Sequence, residues 1–221
     1  MKKKLLITSL LSLFMYQAQA QMAVSADING TPVETKINLN IKGSRYLYEK
    51  WTKGHVLQKD NKYYNDMELK YDVLDDYPIF KREEQALSFK YPIQEFQLIN
   101  PKMPTEIATY RNGFPAIGNH SNKSYYQVLA EGKTTLLKKH SKSIVESIQY
   151  GEVKKQEVFA DSQQYFLFQN GQMIKIKIDK NTLLKALGDK QQELNQFITD
   201  QELKVKSDQQ LIKIVNYYNS I

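Results

Sequence analysis

Tyr-Phe-Leu-Phe-Gln-Asn-Gly-Gln-Met-Ile-Lys-Ile-Lys-Ile, residues 165–178, is the stretch that decides the fold class. Its Asn170-Gly171 pair lies between two runs of β-forming residues, and Asn-Gly most easily supplies the two positive φ angles of a type I′ hairpin turn. After the turn, three isoleucines share one face and two lysines share the other, which predicts a half-buried strand. The stretch therefore predicts a β-hairpin with one face on a core.

The chain before this hairpin alternates with a period of two residues. The clearest run is 67–73, where Met67, Leu69, Tyr71 and Val73 oppose polar neighbours. A second hairpin is predicted over residues 125–138. The connections between the early strands are too short for parallel crossovers, so an antiparallel arrangement is expected.

After residue 178 the apolar residues recur every three or four positions, which predicts helices. The predicted N-caps are Asn181, Asp189 and Ser207, and Gly188 is placed to end the first helix. We predict an α+β fold, with an antiparallel β-sheet or partly closed β-barrel of eight to eleven strands. Two to three short C-terminal helices are expected to pack on it, because helices of this length are not stable alone.

The N-terminus has the pattern of a secretory signal peptide. A positive segment, Lys2-Lys3-Lys4, precedes an apolar run over residues 5–16 and a small-x-small cleavage site that ends at Ala20. We expect cleavage after Ala20; an uncleaved anchor is the alternative. The predicted organisation is a signal peptide over 1–20, a β-rich domain over 21–178 and a helical segment over 179–221.

The composition indicates an exported protein without disulfides, because the chain has no cysteine. It also lacks the cysteine that bacterial lipoproteins carry after their signal. A bacterial periplasmic or extracellular protein is therefore expected. No other stretch is long and apolar enough to predict a transmembrane span in the mature chain.

The charge balance argues against nucleic acid as a partner. Without its first 20 residues the chain has 28 basic and 24 acidic residues, a formal charge of +4. Arginine occurs only at Arg45, Arg82 and Arg111. Nucleic-acid readers depend on arginine for bidentate and stacking contacts, so a lysine-coated surface is the better interpretation.

Four stretches resemble a family of uncharacterised exported bacterial proteins that have a β-rich body and a short helical C-terminus. They are residues 110–115 (Tyr-Arg-Asn-Gly-Phe-Pro), 124–132 (Ser-Tyr-Tyr-Gln-Val-Leu-Ala-Glu-Gly), 184–190 and 217–220. These are turn and packing signatures. The resemblance implies the fold and the export of the chain, and it transfers no activity, ligand or functional residue.

No constellation of catalytic, cofactor-binding or metal-binding residues is evident in the sequence. His55, His120 and His140 lack partners at metal-ligand spacing. The adjacent carboxylates at 75–76 and 83–84 do not converge by adjacency alone. The basic run at 138–142 is interpreted as a solvated hairpin end, with contact to an anionic surface as the alternative.

Residues 100–123 form a long connection rich in proline and glycine, and such connections often carry function. As a hypothesis, its Tyr110, Arg111 and Phe114 line a recognition surface for a ligand or partner. In the alternative, the connection contains a strand over 107–110, the two aromatic residues close the end of the β body, and Arg111 pairs with a carboxylate.

The preferred hypothesis for function is a non-catalytic exported protein that binds an envelope component or another protein. It rests on the predicted export, the β-rich fold and the lack of a catalytic pattern. A hydrolase of envelope or extracellular polymers is one alternative. A carrier of an apolar ligand such as lipid is the other.

Overall fold

The structure, a computed structural model, describes residues 28–33, 41–148 and 154–221. The predicted signal peptide lies outside these ranges. The strands are β1 Gly30–Pro32, β2 Thr52–Gln58, β3 Tyr63–Asp72, β4 Tyr77–Arg82, β5 Gln85–Phe89, β6 Ile93–Asn100, β7 Met103–Arg111, β8 Tyr126–Ala130, β9 Thr135–Ser147, β10 Gln156–Gln169 and β11 Gln172–Ile176. The helices are α1 Lys180–Leu187, α2 Gln191–Asp200 and α3 Asp208–Ser220.

All the strands lie in one open antiparallel sheet of order β1-β5-β4-β3-β2-β6-β7-β8-β9-β10-β11. The predicted α+β class is confirmed, and the sheet is not closed into a barrel. The order departs from a simple meander at two points, because β1 pairs with β5 and not with β2, and β6 pairs with β2 and not with β5.

The first half of the sheet is strongly curled. Residues 90–92 alone connect β5 to β6, so Phe89 and Ile93 are four Cα steps apart, at most about 15 Å. In a flat sheet β5 and β6 would be separated by four strand spacings, about 19 Å. The sheet must therefore bend towards itself between β5 and β2. The backbone N–H of Lys59 donates to Pro92 O at 3.1 Å, which extends the β2–β6 ladder to the 90–92 connection.

The hairpin predicted over residues 165–178 is confirmed. Asn170 and Gly171 have φ angles of 51° and 73°, and Gln169 pairs with Gln172 across the turn. Ile176 is buried against the helices as its alternation predicts.

The three C-terminal helices are present, but two of the predicted caps are wrong. Asp179, not Asn181, caps α1 by accepting the N–H of Thr182, because the helix begins two residues earlier. Asp189 does not cap α2, since its carboxylate accepts the hydroxyl of Tyr218 instead. Ser207 caps α3 as predicted. Among the described helices, none is long and apolar enough to cross a bilayer.

Three hydrophobic clusters fill the two faces of the sheet. The helices pack on β8–β11 over one cluster, which includes Leu136, Leu167 and Leu211. Tyr71, Phe96, Tyr110 and Tyr125 fill the curled half, with ring centroids 4.9–6.4 Å apart. The third cluster lies under the 112–124 connection and consists of Phe114, Tyr126, Leu137 and Phe166.

Candidate binding site between strands β7 and β8

The connection singled out in the sequence contains a strand. β7 occupies Met103–Arg111, and Ile107 pairs with Ile99 of β6. The structure therefore has the strand-bearing alternative and not a long irregular loop. The strand fixes the positions of Tyr110 and Arg111, and Phe114 follows it in the connection to β8.

Two of those residues contribute to packing. Tyr110 is 1% exposed and stacks on Phe96 with ring centroids 4.9 Å apart. Phe114 is buried edge-to-face against Tyr126 and Phe168.

Arg111 lies between two carboxylates. Its Nε is 2.7 Å from Glu95 Oε2 and its Nη1 is 2.6 Å from Glu131 Oε1. Burial lowers the pKa of the guanidinium, but the bonds to Glu131 and Glu95 outweigh burial and raise it. Arg111 thus joins β6 and β7 to the end of β8.

The sheet separates between β7 and β8. The two strands pair only at Tyr110↔Gln127 and Arg111↔Tyr126. The earlier part of β7 pairs only with β6, and the rest of β8 pairs only with β9 among the described residues. We call this opening, bordered by Ile107 and Thr109 on β7 and by residues 128–129 on β8, the β7–β8 split.

Backbone polar groups point into the split. Asn112 donates its N–H to Gln94 O at 3.1 Å, so Asn112 and every second residue before it bond to β6. The intervening residues, Ile107 and Thr109, direct their N–H and C=O groups away from β6. No strand of the described chain pairs with them there. The split therefore exposes a strand edge whose backbone N–H and C=O groups are unpaired in the described part of the chain, and such an edge can pair with another strand.

A cavity lies on each face of the split. The one on the helix side has a volume of about 590 Å³, and the one on the opposite face about 370 Å³. Both are lined by Val128 and Leu129, which shows that they open on the same separation of strands. Ile107, 55% exposed, and Ile212 of α3 add apolar surface on the helix side.

The borders of the split carry excess negative charge. The charged side chains lining the two cavities are the carboxylates of Glu95, Glu106, Glu131 and Asp208 and the cations of Arg111 and Lys138. Their formal sum is −2, in a chain whose net charge is +7. An occupant with basic side chains is therefore favoured electrostatically.

The basic run at residues 138–142 is not a solvated hairpin end, and that interpretation was wrong. Lys138 and Lys139 are buried, and the side chain of Lys142 is 9% exposed and pairs with Asp161. The run lies in the middle of the long β9–β10 ribbon, where its side chains face packed elements on both sides. Sequence reasoning missed these residues because a dense run of lysines is usually solvated.

Lys138 ties the helical segment to the sheet beside the split. Its Nζ is 2.7 Å from Asp208 Oδ2, and the hydroxyl of Tyr165 donates to Asp208 Oδ1, also at 2.7 Å. Burial and the bond to Asp208 raise the pKa of Tyr165. Asp208 also lies in the first turn of α3, where the helix dipole favours a carboxylate.

His140 lines the helix-side cavity as a neutral ring. Its Nε2 lies 2.8 Å from Gln127 Oε1, so the ring donates from Nε2 to this acceptor. Burial, together with Lys138 and Lys139, lowers the pKa of His140 to about 4, against the opposite effect of Asp208 and Asp161.

His140 should therefore make stability depend on pH. Its folded pKa lies below the unfolded value of 6.5, so the unfolded state binds the proton first as the pH falls. The neutral His140 ring makes its full contribution to the free energy of unfolding above pH 6.5. That contribution is lost as the pH falls to 4, and the free energy of unfolding drops by up to about 3 kcal/mol. Urea unfolding at several pH values should show a smaller loss over this range for His140→Gln than for the wild type. Parallel pH profiles would contradict this assignment.

Within the described ranges, no group of three histidine or acidic side chains is arranged to hold a metal ion. Glu95, Glu131 and Asp208 each bond to a cation, and His140 bonds to an amide. The site thus combines open backbone, apolar side chains and neutralised or paired charges.

No protein family, curated protein or solved structure matches the chain. The resemblance to exported bacterial proteins therefore stays a prediction.

Proposed function

We propose that the chain is an exported, non-catalytic binding protein of bacterial origin that takes an extended segment of a partner protein into the β7–β8 split. The observation that carries this proposal is the unused strand edge at Ile107 and Thr109. An extended polypeptide satisfies such an edge by strand addition, with main-chain hydrogen bonds for affinity and side-chain pockets for specificity. The proposed export rests on the predicted signal peptide.

The two cavities indicate which side chains the proposed segment should carry. In an added strand, successive side chains point to opposite faces, so alternate residues enter the two cavities. The helix-side cavity offers Leu47, Ile107 and Leu129 as apolar contacts. The formal charge of −2 around the split favours lysine or arginine at positions next to Glu106 and Glu131. The proposed ligand is an extended, basic segment with apolar residues at alternate positions.

The geometry gives less support to the two alternative functions, a carrier of an apolar ligand and a hydrolase. Aromatic rings fill the concave half of the sheet, where a carrier would enclose its apolar ligand. A hydrolase that uses two carboxylates as acid and base needs them convergent and unpaired, whereas Asp208 beside the split is held by Lys138 and Tyr165.

Selection of a phage-displayed random dodecapeptide library on the protein tests the proposal. We expect enriched sequences with alternating apolar residues and a net positive charge. Synthetic peptides should then bind the wild type, and Ile107→Pro should weaken binding at least about tenfold because proline removes the N–H that faces the split. The substitution leaves the bonds between β7 and β6 in place, since that N–H does not face β6.

The matched control is Ile107→Ala, which removes the side chain and keeps the N–H. It should cost less affinity than Ile107→Pro, and thermal unfolding of both variants shows whether either has lost the fold. The proposal would be refuted if the selection enriched no extended basic sequence. It would also be refuted if the peptides bound Ile107→Pro and the wild type equally well.

A further inference from the structure

A second opening lies at the bend between β5 and β6, away from the β7–β8 split. Its volume is about 440 Å³. The residues that matter for its chemistry are Tyr77, Phe89, Lys90, Tyr91 and Tyr125. We call it the aromatic cleft. Because residues 90–92 must cross the curled end of the sheet, the fold itself places Lys90 and Tyr91 at its mouth.

The cleft is built from fixed aromatic walls. Phe89 packs on Phe80 with ring centroids 4.7 Å apart. Tyr125 is buried and donates its hydroxyl to Ile93 O at 2.6 Å, which holds the ring at the floor. Neither ring can turn away without losing these contacts, so the walls are preorganised for a ligand.

The mouth exposes a large aromatic side chain. Tyr91 is 48% exposed, and with Tyr63 it is one of two largely exposed tyrosines in the described part of the chain. A tyrosine ring offers rigid contact area with a polar hydroxyl, and loses little conformational entropy on binding. This suits a ligand with apolar faces and polar edges, which is the chemistry of a sugar ring.

A cation borders the same mouth. Lys90 lines the cavity, and its Nζ lies 5.9 Å from the centroid of the Tyr91 ring. In the described part of the chain, Lys90 has no carboxylate within ion-pair distance. The lining of the cleft contributes no acidic side chain.

From these features we infer that the aromatic cleft binds an acidic polysaccharide, with a sugar ring on Tyr91 and a sugar carboxylate on Lys90. A neutral glycan would leave the Lys90 ammonium without a partner, and an acidic peptide would make no use of the exposed Tyr91 ring. The inference stands apart from the proposed strand addition, because the two openings share none of their lining residues.

Three uronate polymers of different linkage test the inference: polygalacturonate, alginate and hyaluronan. We expect at least one to bind in calorimetry at low salt and to weaken as salt is added, because the contact with Lys90 is electrostatic. Poly-L-glutamate tests charge without sugar rings, and highly methyl-esterified pectin tests sugar rings without charge. Both should bind at least about tenfold more weakly than the best uronate polymer.

Two substitutions locate the site. Tyr91→Ala and Lys90→Gln should each weaken binding of that polymer about tenfold. The matched controls, Tyr63→Ala and Lys175→Gln, change exposed residues outside the cleft and should leave binding unchanged. Circular dichroism and thermal unfolding of each variant check that the fold is retained.

Three results would overturn the inference. One is the failure of all three uronate polymers to bind. Another is equal binding of poly-L-glutamate, which would indicate lysine charge alone. The third is unchanged binding by folded Tyr91→Ala and Lys90→Gln. None of these results bears on the selected dodecapeptides, whose binding depends on Ile107.

Discussion

Asp76→Asn is expected to lower the free energy of unfolding by about 3 kcal/mol. Lys139 Nζ lies 2.6 Å from Asp76 Oδ1, and the lysine side chain is 3% exposed. Burial lowers the pKa of Lys139, against the opposing effect of Asp76. Without the carboxylate, a cation would remain in the protein interior beside Tyr71. We take the lower end of the usual range because Asp76 itself is partly solvated.

Asparagine is the appropriate replacement at this position. Asp76 has a φ of 61°, a conformation that asparagine adopts with little strain. The amide oxygen still accepts from the Tyr71 hydroxyl and the Tyr125 N–H. The substitution therefore isolates the loss of charge.

Urea unfolding measures the effect, with a double-mutant cycle as the control. Lys139→Met removes the cation, so the double variant with Asp76→Asn should be about 2 kcal/mol more stable than the sum of the single effects predicts. Additive effects would show that the pair does not stabilise the contact between β9 and the β3–β4 turn.

Tyr110→Ala is expected to lower the free energy of unfolding by about 4 kcal/mol. Its ring is buried between Phe96 and Tyr71, with centroid distances of 4.9 and 5.2 Å. Removal leaves a cavity that the paired β6 and β7 backbones cannot close. The residue also lines the helix-side cavity beside the split, so the same substitution enlarges the proposed binding site.

Tyr110→Phe is the matched control, because it keeps the ring and removes only the hydroxyl. We expect it to stay within about 1 kcal/mol of the wild type. Chemical unfolding followed by circular dichroism compares the two variants. A loss below about 1 kcal/mol for Tyr110→Ala would mean that the ring does not support the core as described.

The sequence predicted the elements whose signals are local. The Asn170-Gly171 turn specified its hairpin because few residue pairs adopt two positive φ angles. Ser207 and Gly188 marked helix ends through their own side-chain or backbone chemistry. Asn181 and Asp189 were mistaken for caps, since a polar residue near a helix start also serves tertiary contacts such as the one between Asp189 and Tyr218.

The topology and the candidate site depend on contacts distant in sequence. No local pattern indicates that β6 pairs with β2, because that choice depends on how far the sheet curls. The β7–β8 split was not predicted either, because the sequence of a strand does not specify how far it pairs with its neighbour. Lys138 and Lys139 are buried because Asp208 and Asp76 come to them from 70 and 63 residues away.

The three residues singled out in the sequence lie close to the split but not in its open edge. Tyr110 and Arg111 form the last pairs at which β7 and β8 remain joined, with Gln127 and Tyr126. Phe114 packs the 112–124 connection onto the face of the sheet opposite the helices. The residues chosen from the sequence therefore lie beside the proposed site, whose binding groups are backbone atoms that no side-chain pattern reveals.

Amide hydrogen exchange along β7 tests the central claim most directly. In the free protein, the N–H groups of Ile107 and Thr109 should exchange fast, while those of Ala108 and Tyr110, which bond to β6, stay protected. A selected dodecapeptide should then protect Ile107 and Thr109 as its strand adds to the edge. Equal protection of all four amides in the free protein, or no change when the peptide is bound, would contradict an open split that receives a strand.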